Sequence, residues 1–253
     1  MGRNKTNYRT EMKPLTMILI SGILLEFSTA PVLAEMSSIF DRDSYEHRIY
    51  AIEATMTDNS VRECHAFVIG PYLEGTLLLI PNSVVRTEDP DLHLKKVFVK
   101  LKDLWSKETK HVVLRLMEVN DPHRNLAILY ADGRWEPDSA FMGSSSRVAP
   151  EKAADVIVRN SNGELQFVRT IFTTSFQKGR ASIRFNTEKR IPNNFLGAVV
   201  IVDEGYAVGL VQSREVEESN KVVILSLEEV ILFCAENGLP FNILPDISNL
   251  LPK

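Results

Sequence analysis

Nucleophilic hydrolysis needs a hydroxyl or thiol held against a base, and that base is most often histidine. The chain has five histidines, His47, His65, His93, His111 and His123, and two cysteines, Cys64 and Cys234. None of the histidines stands in a motif that brings a nucleophile to it. His65 and His111 fall inside apolar strand-like runs and read as strand residues, whereas His47, His93 and His123 read as solvated loop residues. Gly143 followed by Ser144, Ser145 and Ser146 offers hydroxyls, but in a stretch with the composition of a flexible spacer. No Cys/His cluster has metal-site spacing, so neither a metal nor another cofactor is expected. Lys95, Lys96, Lys100, Lys102, Lys107 and Lys110 make residues 95–110 basic around Trp105. The aromatic interleaving of a nucleic-acid groove is missing there, and a solvated loop tip is the reading. Glu215-Val216-Glu217-Glu218 reads as an acidic hairpin tip.

The elements that must position such residues are mostly strands. With 253 residues, 44% apolar and 25% charged, the chain can form one large domain or two small ones with a real core, and it is neither disordered nor collagen-like. A net charge of −4 lacks the basic footprint of a nucleic-acid binder, and no nucleic-acid partner is expected. Short Val/Ile/Leu-rich runs at 49–55, 61–69, 77–80, 97–101, 111–119 and 126–130 form a first block. Turn chemistry separates most of them, at Thr57-Asp58-Asn59-Ser60, Gly70-Pro71, Asp89-Pro90-Asp91 and Asn120-Asp121-Pro122. A polar stretch, 132–152, reads as a linker without elements of its own. A second block follows at 155–159, 165–173, 181–185, 198–202, 206–212 and 222–225. Twelve short strands in two blocks predict an all-β fold of two antiparallel six-stranded barrels, at 35–131 and 153–225.

One helix is expected, in a closing segment 226–253. Ser226-Leu227-Glu228-Glu229 spells a capping box, Leu227, Val230, Ile231 and Cys234 share a face, and Gly238 is a natural stop. The tail from Leu239 is apolar but punctuated by proline and is expected to pack irregularly.

The first 34 residues read as an export signal. Arg3, Lys5, Arg9 and Lys13 form a basic front, Leu15–Leu25 is a mostly apolar run of eleven, and Val32-Leu33-Ala34 supplies a small residue before a cleavage point. Met12 opens a second, more usual signal spelling. The run is too short for a stable membrane anchor, which needs ~20 apolar residues. A buried N-terminal helix and an uncleaved anchor are the other readings. Cleavage after Ala34 leaves a net charge of −6 and a secreted or periplasmic domain. The absence of an Asn-x-Ser/Thr sequon after residue 34 favours the periplasm. In an oxidising compartment Cys64, in a strand, and Cys234, on the helix face, either form a disulfide clamping helix to barrel or remain two buried thiols.

Three segments carry a likeness to a known family. Ala66-Phe67-Val68-Ile69 followed by Gly75-Thr76-Leu77-Leu78-Leu79-Ile80-Pro81-Asn82-Ser83-Val84-Val85 resembles the "GFVI…G-x-ILTAAHVV" strand pair of the trypsin-like (chymotrypsin-fold) serine proteases. Arg124-Asn125-Leu126-Ala127-Ile128-Leu129 is similar to the "DLAVL" strand of that family. Phe195-Leu196-Gly197-Ala198-Val199-Val200, running on through Gly205 to Leu210, is similar to "NSGGPLVNxDGxVVGI". The likeness spans roughly residues 45–240, in the family's order.

The same resemblance removes the chemistry. It sets the family's histidine at Asn82, its aspartate at Asn125, its nucleophilic serine at Leu196 and an oxyanion-hole glycine at Asn194. Leucine has no atom able to attack a carbonyl, an asparagine amide takes no proton at neutral pH, and Asn125 carries no charge to steady an imidazolium. The resemblance therefore implies a secreted pseudo-protease that binds a protein or peptide partner, with no membrane anchor after signal cleavage. The alternatives are a serine-type hydrolase with a displaced constellation and an accessory of an envelope or secretion complex.

Overall fold

Strand alternation puts successive side chains on opposite faces, and here both faces of several strands find a core. The computed structural model describes residues 45–102, 109–135, 141–160, 162–186, 193–202, 205–215, 218–241 and 244–245. These belong to one unit, Phe40–Lys253. The expected signal segment, Lys107, Trp105 and most of the tail lie outside the described residues.

The first block forms β1 (Ile49–Met56), β2 (Val61–Tyr72), β3 (Gly75–Pro81), β4 (Leu94–Lys102), β5 (Thr109–Asp121) and β6 (Leu126–Asp132). They close into an antiparallel barrel in the order β1-β2-β3-β6-β5-β4, sealed by β1 against β4. A four-residue helix, α1 (Asn82–Val85), leaves the end of β3. The second block supplies β8 (Ala153–Arg159), β9 (Leu165–Phe172), β10 (Arg180–Phe185), β11 (Val199–Val202), β12 (Tyr206–Arg214) and β13 (Lys221–Ser226). That sheet runs β11-β8-β9-β10-β13-β12 and closes through β11 against β12, giving the second six-stranded barrel. The two-barrel architecture and nearly every strand expected from sequence are therefore present.

The burial pattern explains why the strands read as continuous apolar runs rather than alternating ones. On β2 and β3, Ala66, Val68, Leu78 and Ile80 point into the first barrel. Their neighbours Phe67, Ile69, Leu77 and Leu79 point outward and meet Ile157, Val199 and Ile201 of the second barrel. All seven residues of β3 are buried. At ~1.5–3 kcal/mol per fully buried large aliphatic, this shared layer holds the barrels together.

The terminal helix is α2 (Leu227–Glu236), with the Ser226 hydroxyl accepting from the Glu229 N–H at 3.4 Å. Asn237 caps its end and Gly238 turns the chain at φ +62°. Its buried face is Leu227, Val230, Phe233 and Cys234; Ile231 is only half-buried, and the large Phe233 takes the inward position.

Three further expectations need correction. Gly70-Pro71 does not end a strand: the register slips by one between Val68 and Gly70, a bulge that lets β2 continue to Tyr72. The turn falls at Leu73 instead, at φ +54°. Stretch 132–152 is not free of elements, since β7 (Phe141–Met142) pairs in parallel with β12 at Ala207 and a 3-10 turn covers Ser145–Arg147. In the tail, β14 (Leu244–Pro245) pairs with β7.

Candidate functional site

The seam between the barrels collects the residues singled out by sequence. β3 delivers Pro81 and then Asn82, the first residue of α1, which is buried. The β5–β6 turn delivers Asn125 in the left-handed region at φ +54°, a conformation asparagine tolerates better than most residues. The Asn82 N–H donates to the Asn125 carbonyl at 2.9 Å. The Asn125 carboxamide faces both ways: its Oδ1 accepts from the Ser83 N–H at 2.7 Å, and its Nδ2 donates to the Gln212 carbonyl on β12 at 3.0 Å. Asn125 is thus a strap from α1 of the first barrel to the second barrel. With its amide nitrogen turned toward them, the buried Gln212 side chain donates to the carbonyls of Asn125 and Arg124 at 3.1 and 3.2 Å. The Asn82 Oδ1 is buried with no partner among the described residues.

Leu196 approaches from the other side. It follows a 3-10 turn, Asn193–Phe195, and its carbonyl accepts from the His65 N–H at 2.7 Å. Its half-buried side chain packs against the interiors of both barrels. Gly197 stands at φ +76°, and a Cβ there would lie 2.0 Å from the His65 carbonyl oxygen and 3.0 Å from Pro81 Cδ. Glycine is required by that approach, and the approach sets Leu196 beside the Pro81–Asn82 corner. Asn82 and Asn125 are directly bonded; Leu196 shares their seam from the facing barrel.

His65 is the residue whose role sequence did not reveal. It is fully buried, its Nδ1 donates to the Asn194 carbonyl at 2.5 Å, and its Nε2 accepts from the Arg159 N–H at 2.7 Å. Burial, with a smaller push from the Arg159 charge, lowers its pKa to about 4. A neutral imidazole with both nitrogens occupied by backbone has no lone pair or proton to offer a substrate. It is a strut between β2, β8 and the 194–196 turn. Arg159 is the second strut: its guanidinium donates to the carbonyls of Ile49, Gly163 and Glu46 and pairs with the Glu46 carboxylate at 2.9 Å. A strand-end arginine carries no local sequence mark for such a role. Arg124, beside Asn125, forms ion pairs with Asp121 (3.0 Å), Glu229 (2.9 Å) and Glu236 (2.6 Å) and so ties the β5–β6 turn to α2.

The other candidates lie apart. His47, His93, His111 and His123 are exposed, His111 stacked on Phe98 with centroids 4.7 Å apart. The Ser144 hydroxyl caps its own 3-10 turn and bonds to Ser146 at 2.8 Å, an arrangement without a base. Lys95 bonds Asn59 at 3.0 Å and Lys100 pairs with Glu53. Glu215 accepts from the Ser182 hydroxyl and Glu218 pairs with Lys221, at the β12–β13 hairpin as expected. Cys64 and Cys234 are both free, so the clamping disulfide is not formed. Cys64 belongs to the interior of the first barrel and Cys234 to the layer under α2, which keeps the thiols in separate cores. Burial pushes both thiols up, Cys234 to about 12. Among the described residues no group of His, Cys, Asp or Glu side chains is placed to hold a metal ion, and no helix is long and apolar enough to cross a membrane.

Two closed six-stranded barrels, a seam between them and a closing helix define the trypsin-like fold. Solved structures agree. The chain is similar to the Rv3671c protease from M. tuberculosis in its active form, at 17% identity and a TM-score of 0.58, covering 78% of this chain and 83% of that one. It is also similar to the inactive form of the Rv3671c protease, at 17% identity and a TM-score of 0.56 over 83% and 98% of the two chains. The HtrA-type protease AlgW with tripeptide matches at 16% identity and a TM-score of 0.55, over 78% of this chain and 64% of that one. The sequence matches no protein-family profile and no curated protein.

Proposed function

We propose that this chain is a non-catalytic trypsin-like domain that binds a protein or peptide partner along the seam between its barrels. The observation that carries the reading is Leu196, whose side chain occupies the seam position where the resemblance sets a nucleophile and contacts both barrel interiors. Asn82 and Asn125 support it: the Asn125 side-chain amide straps backbone groups of both barrels, the Asn82 backbone N–H bonds the Asn125 carbonyl, and neither carboxamide takes a proton at neutral pH. Loss within a nucleophile–base–acid unit costs on the order of 10⁴–10⁶ in turnover, and the losses do not add. What remains is a two-barrel scaffold with a seam between its barrels, where an extended peptide could lie.

The same proposal sets the domain outside the cytoplasm, secreted or periplasmic, on the basic front and apolar run of residues 1–34. Buried thiols with raised pKa values persist there without pairing. A fluorophosphonate probe tests the central point. The purified domain is expected to remain unlabelled, and labelling abolished by substitution of one serine would establish a displaced hydrolase instead.

A further inference from the structure

A cavity of about 460 Å³ opens at one side of the seam, between residues of β1, β2, β4 and β5 and the β8–β9 hairpin. Ligand pockets usually occupy ~300–1,000 Å³. Its charged groups divide into those already answered and one that is not. Arg159 is neutralised by Glu46 and has four of its N–H groups engaged by the protein. Lys100 is paired with Glu53. Glu63 stands directly opposite Glu53 in the β1–β2 register, and it is exposed and has no ion pair or hydrogen bond among the described residues. Two carboxylates in register repel each other, and Lys100 answers only one of them.

The neutral groups are of both kinds, since the exposed His111 ring on β5 can donate as well as accept. The Asn160 side chain is committed within its own turn, donating to Glu164 and accepting from the N–H groups of Asn162 and Glu164. Asn194 lines the same cavity, and its Oδ1 is buried with no partner among the described residues. His65 holds the Asn194 backbone, and Glu63 lies two residues along the same strand face, ~7 Å away at 3.4 Å per residue. Within this lining Glu63 is the charged group left without a counter-charge among the described residues.

We infer that this cavity receives a basic side chain, arginine or lysine, of a partner peptide, with Glu63 as its counter-ion. The inference rests on the proposal above only in taking the partner to be a polypeptide lying at the seam; whether that chain is cut does not enter.

Calorimetric titration of the whole exported domain at low salt, with Ac-Ala-Arg-Ala-NH2 and its neutral citrulline counterpart, tests it. The arginine peptide is expected to bind about tenfold tighter, the scale of one charge-assisted hydrogen-bonded pair. Glu63→Gln, at an exposed position that the fold does not need, should erase the preference. Equal affinities, a preference that survives Glu63→Gln, or no saturable binding of the arginine peptide at millimolar concentration would each overturn it. Mass spectra of the same samples separate the two readings. Binding with cleavage keeps the pocket and removes the non-catalytic proposal, whereas no binding removes the pocket and leaves that proposal standing.

Discussion

Replacing His65 by glutamine should make the domain far less sensitive to mild acid. In the folded protein the imidazole resists protonation down to about pH 4, whereas unfolded it takes a proton near its ordinary 6.5. Its folded pKa is depressed, so between those values the unfolded chain binds more protons than the folded one. Stability is fully present above pH 6.5 and is lost as pH falls through the window. At 1.36 kcal/mol per unit, the loss reaches about 3 kcal/mol by pH 4. Asp58 and Asp121, whose folded pKa values are also lowered, do not compete in that window. Their contributions are lost only below their ordinary value of 3.8. Glutamine can accept from the Arg159 N–H in place of Nε2 but leaves the Asn194 carbonyl without its donor, at ~1–3 kcal/mol. The variant should therefore be the less stable form near pH 7, with the gap narrowing or reversing toward pH 4. Urea titrations followed by circular dichroism at steps between these values measure both curves. Parallel curves for the two proteins would refute the assignment of His65 as a buried neutral strut.

Other outcomes follow from single contacts. Gly197→Ala forces a methyl against the His65 carbonyl at a positive φ and should cost about 3 kcal/mol or more, read by the same titrations. Arg124→Met frees three carboxylates and loosens the β5–β6 turn from α2. The expected cost is about 1–2 kcal/mol, shrinking in molar salt, because the groups are partly exposed. Cys64 and Cys234 should both resist iodoacetamide in the native protein and both react once it is unfolded, with no mass change on reduction.

The architecture was legible because its signals are local. Val/Ile/Leu runs between turn residues mark the strands, and Ser226 with Glu229 marks the start of α2 before any contact is known. Errors fell where long-range pairing overrides local chemistry. Gly70-Pro71 became a bulge because β3 continues to pair beyond it, and Phe141–Met142 became a strand only because β12 offers an edge. Phe233 displaced Ile231 from the helix face because the large ring fills the layer between the barrels. At the seam, ordered motifs led to Asn82, Asn125 and Leu196, yet the struts that hold them were invisible. Apart from the nearby Gly163 carbonyl, His65 and Arg159 act through backbone groups 94 or more residues away, and a sequence carries no spacing rule for such partners.

Incubation of the pure two-barrel domain with a diverse peptide mixture, followed by mass spectrometry, is the sharpest test of whether this chain cuts peptides. Every peptide should be recovered intact, however long the incubation. Reproducible cleavage that co-purifies with the domain and disappears when one of its own serines is replaced would contradict it.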